Sequence, residues 1–376
     1  MKTNIPERIA ALREAMKQQK VDAYIIPSSD PHLSEYPADR WKSREWISGF
    51  TGSAGTIVVT ADKAGLWTDS RYFLQAASQL EGSGIELYKL ALPETPSITE
   101  FLLHELHTGQ AVGLDGQTYS AAEASALANK LSRKEIKLDT SADLIEGIWK
   151  DRPAVPGNPI FEMPEALSGA SVHEKLDLIN NQLRSEGADC LILAALDEIA
   201  WTFNIRGTDV TYNPVVVSYA FVSEDESVLF IKPEKLTAEI TEHLKKEGVT
   251  LAEYSMIQRY LSRLPENSRV FVDMNKTNVS LYDAIPGSCT IVEGISPANH
   301  LKSIKNETEI KGFQNAVVKD GVALTKFYIW LEKQMAEGAQ VTEISAAEKL
   351  TALRAEQPQY IMDSFGTTTG AFQRRM

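Results

Sequence analysis

The side chains that most often carry catalysis are sparse in this sequence and poorly spaced for it. Six histidines stand at His32, His104, His107, His173, His243 and His300. None forms HExxH or HxH, and none joins aspartates at the spacing a zinc site needs. His104 and His107 are three residues apart in FLLHELHTG, a spacing that brings two imidazoles to one helix face, although a solvated surface pair has the same pattern. No GxSxG elbow presents a serine, no GxxxxGK[ST] loop cradles phosphate, and no GxGxxG turn receives a dinucleotide. Two cysteines, Cys190 and Cys289, lie far apart, the first inside the apolar run CLILAAL. A thiol there behaves as a small hydrophobe, so both are expected to be buried and reduced. Residue chemistry taken alone names no reaction.

The elements that must position any site are clearer, because they occur twice. Arg8 to Lys20 carries Ile9, Leu12 and Met16 at helical spacing and runs into VDAYIIPSSD, which reads as a short buried strand. Lys175 to Gly187, with Leu176, Ile179 and Leu183 on one face, runs in the same way into ADCLILAALD. Asp22 then matches Asp189, Asp30 matches Asp197, Trp46 matches Trp201 and Gly52 matches Gly207. Two apolar strands follow in each copy, with Asp62 and Asp225 at the turns between them, and VGLD (112–115) has its counterpart in VFVD (270–273). Ordered matches of this kind point to a duplicated α/β domain. Trp46, Trp67 and Trp201 sit on apolar elements and are expected in the core.

Between the copies lies DRPAVPGNPIFEMPEALSG, whose prolines disfavour helix and mark a linker. A third region opens at Asn306, which can cap a helix with Glu309 at its third position. Val317, Val318, Val322, Leu324 and Leu331 recur at helical spacing up to Glu337. A second helix is expected from about Thr342 to Ala355, followed by YIMDSF as a strand.

The 376 residues carry a formal net charge of −13 with 43% apolar and 24% charged residues. That composition belongs to a folded globular chain and opposes phosphate backbones and anionic membrane surfaces. No apolar stretch approaches the roughly 18 residues of a membrane span. The polar, helical N-terminus is not a signal peptide. The expectation is a cytoplasmic protein that binds neither nucleic acid nor membrane.

Several long segments resemble the cytosolic-type aminopeptidase P family: AYIIPSSDPHLSEY, WISGFTGSAGTIVVTADKAGLWTDSRYFLQA, ALDEIAWTFNIRGTDVTYNPVVVSYAF and GVALTKFYIWLEKQ with VTEISAAEKL. The resemblance runs to about Phe365. It implies a mixed-sheet α/β fold class: two similar creatinase-type N-terminal domains with flanking helices, then the start of a pita-bread peptidase domain. The expected divisions are 1–152 and 169–304 for the two domains, 153–168 for a proline-rich linker, and 305–376 for the opening of the third, truncated domain. The implied activity is removal of the N-terminal residue from peptides with proline at position two. In the family, two divalent ions, usually Mn2+, activate a bridging water. This chain reads TTGAFQRRM after MDSFGT, where relatives continue toward the metal-ligand aspartates. No catalytic or metal-ligand residue is therefore expected in it, no metal is expected bound to it, and the chain alone is expected to be inactive. The expected partners are Xaa-Pro peptides, and a homodimer is compatible with the sequence. The alternative is a non-catalytic creatinase-like module serving as an assembly or peptide-binding scaffold.

The resemblance also nominates substrate-binding residues. Arg71 in TDSRYFLQA stands where the family has a substrate arginine; a guanidinium suits a peptide carboxylate or carbonyl because its planar fork donates two parallel bonds. An ion pair with Asp69 is the competing role. Arg206 and Asp209 in NIRGTDVTYNP form a second candidate, since Gly207 permits a tight turn that presents the loop, against an Arg–Asp pair that only fixes the loop. His32, with Glu35 in DPHLSEY, is the weakest candidate.

Overall fold

The structure is a computed structural model and describes residues 4–367. In chain order its strands are β1 (Ala23–Ile26), β2 (Thr56–Thr60), β3 (Ala64–Thr68), β4 (Glu86–Lys89), β5 (Ala111–Leu114), β6 (Lys137–Asp139), β7 (Phe161–Glu162), β8 (Cys190–Leu193), β9 (Ile205–Arg206), β10 (Tyr219–Ser223), β11 (Ser227–Phe230), β12 (Val249–Ala252), β13 (Arg269–Val272) and β14 (Thr290–Glu293). Twelve of these build two six-stranded sheets, ordered β4-β3-β2-β1-β5-β6 and β12-β11-β10-β8-β13-β14. The senses agree strand for strand. The β1/β2 and β2/β3 pairs are antiparallel, like β8/β10 and β10/β11, and the outer pairs on both sides run parallel. The two halves share one mixed-sheet topology.

Each sheet is covered on both faces, which is why its central strands read as unbroken apolar runs rather than alternating ones. Tyr24 and Ile26 of β1 face the helix Ile5–Gln19 through Leu12 and Met16, while Ala23 and Ile25 face Phe101, Leu127 and Leu131. In β8, Leu191 and Leu193 pack on Ile179 and Leu183 of the helix Val172–Glu186, and Cys190 and Ile192 pack on Ile257 and Leu261. Cys190 is buried, Cys289 only partly so, and both thiols are free. Trp67 is buried, whereas Trp46 and Trp201 are half-buried.

The matched aspartates do the same work. Asp22 N donates to Ala111 O at 2.7 Å, and its carboxylate accepts from Ala111 N at 2.9 Å, which fixes the start of β5. Asp189 holds Arg269 at the start of β13 in the same two ways, at 2.8 and 2.7 Å. Asp30 and Asp197 differ: Asp30 is fully buried, and Asp197 is a surface group paired with Lys302. The first copy inserts a longer loop after β1, so equal sequence spacing ends in unequal environments.

The two domains meet through a reciprocal exchange. Ala121 and Ala122, at the start of the helix Ala121–Leu131, donate to Thr277 O and Met274 O at 2.9 and 3.0 Å. Val279 and Ser280, at the start of the helix Val279–Tyr282, donate to Tyr119 O and Gly116 O at 2.9 and 3.1 Å. Each helix thus satisfies N-terminal backbone donors on the other domain.

Residues 153–168, expected as a linker, are built into the second domain. Ile160 is buried, β7 pairs antiparallel with β9, and the short helix Glu165–Ser168 packs on the long helix that follows. That helix, Glu307–Ala336, begins with the expected cap: Asn306 Oδ1 accepts from Glu309 N and Glu309 Oε2 from Asn306 N, both at 2.9 Å. Only Ala323 of this helix is buried, so Phe313, Val317, Val318 and Ile329 are exposed. A helix Glu343–Ala355 packs against it. YIMDSF is not a strand. Tyr360 Oη donates to Asp363 Oδ1 at 3.1 Å and Thr351 Oγ1 donates to Asp363 Oδ2, which holds a local turn where no neighbouring strand offers backbone partners among the described residues.

Candidate functional site

Four segments converge at one open cleft of about 550 Å³, one of them contributing Pro153, Ala154, Pro156 and Asn158. The loop after β1 contributes Ala38 and Arg40, the loop after β9 contributes Asp209 and Tyr212, and the last described residues contribute Asp363. The Tyr36 ring meets the Tyr212 ring edge-on at 5.4 Å. Tyr212 has φ 67°, a left-handed conformation that a bulky residue adopts only when its surroundings hold it there. Its hydroxyl closes on Gly366, where a Cβ would lie 3.2 Å away.

Arg71 stands in the short turn Ser70–Tyr72 after β3, capped by Asp69. Its Nε and Nη2 donate to the two oxygens of Asp69 at 2.8 and 2.9 Å, and its guanidinium lies 5.0 Å from the Tyr72 ring centre. This fork holds the Asp69 carboxyl below its ordinary range and raises the guanidinium further, with Glu35 adding to the field. The ion pair with Asp69 is therefore real. It leaves the side chain 66% exposed, with Nη1 turned to neither carboxylate oxygen, so the pair orients the arginine without consuming it.

Arg206 and Asp209 do not pair with one another. The Asp209 carboxylate turns inward, accepts from Val217 N at 2.7 Å and forms a buried ion pair with Lys235, both side chains being essentially inaccessible. Burial lowers the lysine pKa, and Asp209 opposes that shift. Arg206 points to the far side of its strand, where Nη1 donates to Ala200 O and Ile205 O at 2.6 and 2.9 Å. The loop is fixed by an ion pair with a different cation from the expected one, 26 residues further along the chain.

His32, a substrate candidate in the sequence, lies in the seam between the domains, where both ring nitrogens are engaged by Ala194 and Tyr254. Its ring is 2% exposed, with Nδ1 2.8 Å from Ala194 O and Nε2 2.9 Å from Tyr254 Oη. A carbonyl can only accept, so Nδ1 carries the proton and Nε2 accepts from the tyrosine. The ring also lies 4.4 Å from that of Tyr219. Burial pushes its pKa down to about 3, so it is a neutral ring at every ordinary pH. His104 and His107 do not form a pair, since the helix Ile98–Glu105 stops between them and His104 bonds its neighbour Glu105 at 2.9 Å.

Sequence reading missed Lys175 and Lys235. Lys175 had a visible signal: it lies on the apolar stripe with Val172, Leu176, Ile179 and Leu183, all of them buried. Lys235 had none, because its partner comes from a distant loop. Among the described residues no three His, Cys, Asp or Glu side chains converge as a metal ion requires. These described residues do not fit a two-ion centre. No described helix is long and apolar enough to cross a membrane.

The creatinase/prolidase N-terminal domain matches residues 8–148 and, through a second family of the same description, residues 151–309. A probable Xaa-Pro aminopeptidase P of Botryotinia fuckeliana is 39% identical over 375 residues, covering 97% of this chain and 57% of its own length. The Xaa-Pro aminopeptidase ApepP of Drosophila melanogaster is 36% identical over 381 residues, covering 99% of this chain and 62% of its own. Among solved structures, the X-prolyl aminopeptidase of Caenorhabditis elegans, described as a cytosolic enzyme with a di-nuclear active site, superposes with a TM-score of 0.90 at 30% identity. It covers 96% of this chain and 62% of that one. The chain thus spans about three-fifths of the length of the relatives it matches. Both of its α/β halves are creatinase/prolidase N-terminal domains, and the chain belongs to the creatinase/prolidase family as a homologue of the Xaa-Pro aminopeptidases P.

Proposed function

We propose that this chain forms part of an Xaa-Pro aminopeptidase, which hydrolyses the bond before proline at the second position of a peptide. The observation that supports the reading most is the match to such enzymes over both domains and into the third region. In this reading residues 4–367 supply substrate-facing and scaffolding surfaces, and the manganese pair expected of the family is held by other residues. A cytoplasmic location accords with the relative described as cytosolic.

The substrate contact proposed here is Arg71. Its guanidinium is oriented by Asp69 and exposed, so Nη1 and the open edge of the fork are free to meet a peptide carbonyl or carboxylate. Losing a charge-assisted bond of that kind costs about 1.5–3 kcal/mol, which is about a tenfold to a hundredfold loss in kcat/KM. The test joins this chain in register to the remainder of the Drosophila relative and follows release of the N-terminal residue from short and long Xaa-Pro peptides with manganese present. Arg71→Ala is expected to lower kcat/KM by that factor with no change in thermal midpoint. Unchanged kcat/KM on both peptide lengths removes Arg71 from the substrate contacts, and no release from any Xaa-Pro peptide by the parent fusion rejects the reading itself.

A further inference from the structure

A second cavity, of about 450 Å³, lies between the second domain and the long helix Glu307–Ala336. Its lining carries four cations, Lys175, Arg206, Lys302 and Lys305, and the first two lie with the rings of Trp201 and Phe313. Lys175 is 1% exposed, and its ammonium donates to Trp201 O at 2.9 Å and to Asn204 Oδ1, both neutral acceptors. The Arg206 guanidinium donates through Nη1 to backbone oxygens alone. Among the described residues neither cation has a carboxylate within ion-pair distance. The pair at the cavity rim is Lys302 with Asp197, at 2.6 Å.

Two like charges brought together away from water oppose one another, and the structure registers the cost. Burial first, and the Arg206 charge second, lower the Lys175 pKa to about 8, and burial lowers that of Arg206. A cavity with clustered cations of perturbed affinity and no paired anion is the electrostatic form of an anion site. Glu309, on the opposite wall, supplies the only described carboxylate whose field raises both cations. Its Oε2 is committed to Asn306 N, and its Oε1 takes a longer 3.3 Å bond from Trp201 Nε1, with acceptor capacity left over. The cavity therefore offers positive charge, a carboxylate and aromatic surface within a volume suited to a small ligand.

We propose that this cavity is a binding site for a free apolar α-amino acid. The ligand's carboxylate lies against Arg206, with the Lys175 charge acting from beneath the wall, its ammonium reaches Glu309, and its side chain covers Trp201 and Phe313. Gly312 gives a test that leaves the cations in place. A Cβ at this position meets no atom within 4 Å, and leucine is a better helix former than glycine, so Gly312→Leu fills the cavity without straining the helix. Calorimetric titration of the purified chain with L-leucine is expected to show saturable binding of one molecule per chain. L-leucinamide, which lacks the carboxylate, and 4-methylpentanoate, which lacks the ammonium, are each expected to bind at least tenfold more weakly. Arg206→Gln is expected to weaken L-leucine at least tenfold, and Gly312→Leu to abolish its binding while the circular dichroism spectrum is retained. L-leucine binding that survives Gly312→Leu, leucinamide binding as tightly as leucine, or no binding of L-leucine, L-methionine or L-phenylalanine would each overturn the assignment.

Discussion

Arg8 and Lys175 occupy the same position in the two halves of the chain, each in the first turn of its domain's leading helix and each directed at a tryptophan. Arg8 donates to Trp46 O and lies 4.3 Å from the centre of its ring; Lys175 donates to Trp201 O and lies 4.7 Å from the centre of its ring. Their surroundings differ. Arg8 is half-exposed, whereas Lys175 is enclosed beneath the cavity wall.

That enclosure sets an alkaline pH dependence. The folded-state pKa of Lys175, about 8, lies below the ordinary 10.5, so between these values the unfolded chain holds a proton that the folded chain has released. Stability from this residue accordingly rises as pH increases through that window. In urea titrations from pH 7.5 to 10.5, Lys175→Met is expected to lack this rise, while Arg8→Met retains it. Parallel pH curves for the parent and Lys175→Met would contradict the placement.

The buried pair of Asp209 and Lys235 fixes the loop that carries Tyr212. Removing one partner leaves an uncompensated buried charge, which costs about 3–5 kcal/mol. Asp209→Leu is expected to lower stability by that amount, and the double change Asp209→Leu with Lys235→Met to recover most of it, since an apolar pair of similar volume carries no desolvation penalty. Denaturant midpoints of the three proteins decide this, and a double variant as unstable as the single one would refute it.

The two-domain organisation was legible in the sequence because it follows from local patterns. Buried strands such as AYII and CLIL are continuous apolar runs, the leading helices show their stripes, and Asp22 and Asp189 each hold the first residue of a neighbouring parallel strand. The Asn306 cap was legible for the same reason, since its capping box closes on Glu309, three residues away. What escaped was long-range. The Asp209–Lys235 pair spans 26 positions and the contact of His32 with Ala194 spans 162, and no local spacing encodes either. Arg206 and Asp209 read as partners because they are neighbours in sequence, but adjacent strand and loop positions put them on opposite sides.

Asn306 also ties the long helix to the second domain, because its Nδ2 donates to Ser168 O at 2.8 Å. Replacing a capping residue by alanine costs about 1 kcal/mol. Asn306→Ala is expected to do so and to speed amide exchange in the first turn of the helix Glu307–Ala336. Gly169, at φ 72°, leaves 2.5 Å between a built Cβ and Asn306 Oδ1, so Gly169→Ala is expected to show the same exchange pattern with a larger loss of stability. Exchange that rises equally throughout both domains would count against a local cap.

His32 gives the seam its acid sensitivity. Its folded-state pKa of about 3 lies below the ordinary 6.5, so as pH falls through this window the unfolded chain takes up a proton that the folded ring refuses. Stability is lost on acidification by up to about 1.4 kcal/mol per pH unit for one such group. Asp30 acts in the opposite direction, since burial raises its pKa and acidification then favours the fold. Comparison with His32→Gln separates the two, because the variant keeps Asp30 and loses the imidazole. The variant is expected to be less stable at pH 7, where Ala194 O and Tyr254 Oη lose a fitted partner at about 1–3 kcal/mol. Below pH 6 its stability is expected to fall less steeply than that of the parent, so that the two curves converge between pH 6 and 4. Denaturant unfolding at half-unit intervals measures both slopes. Curves that stay parallel down to pH 4 would show that His32 is not held neutral in the seam.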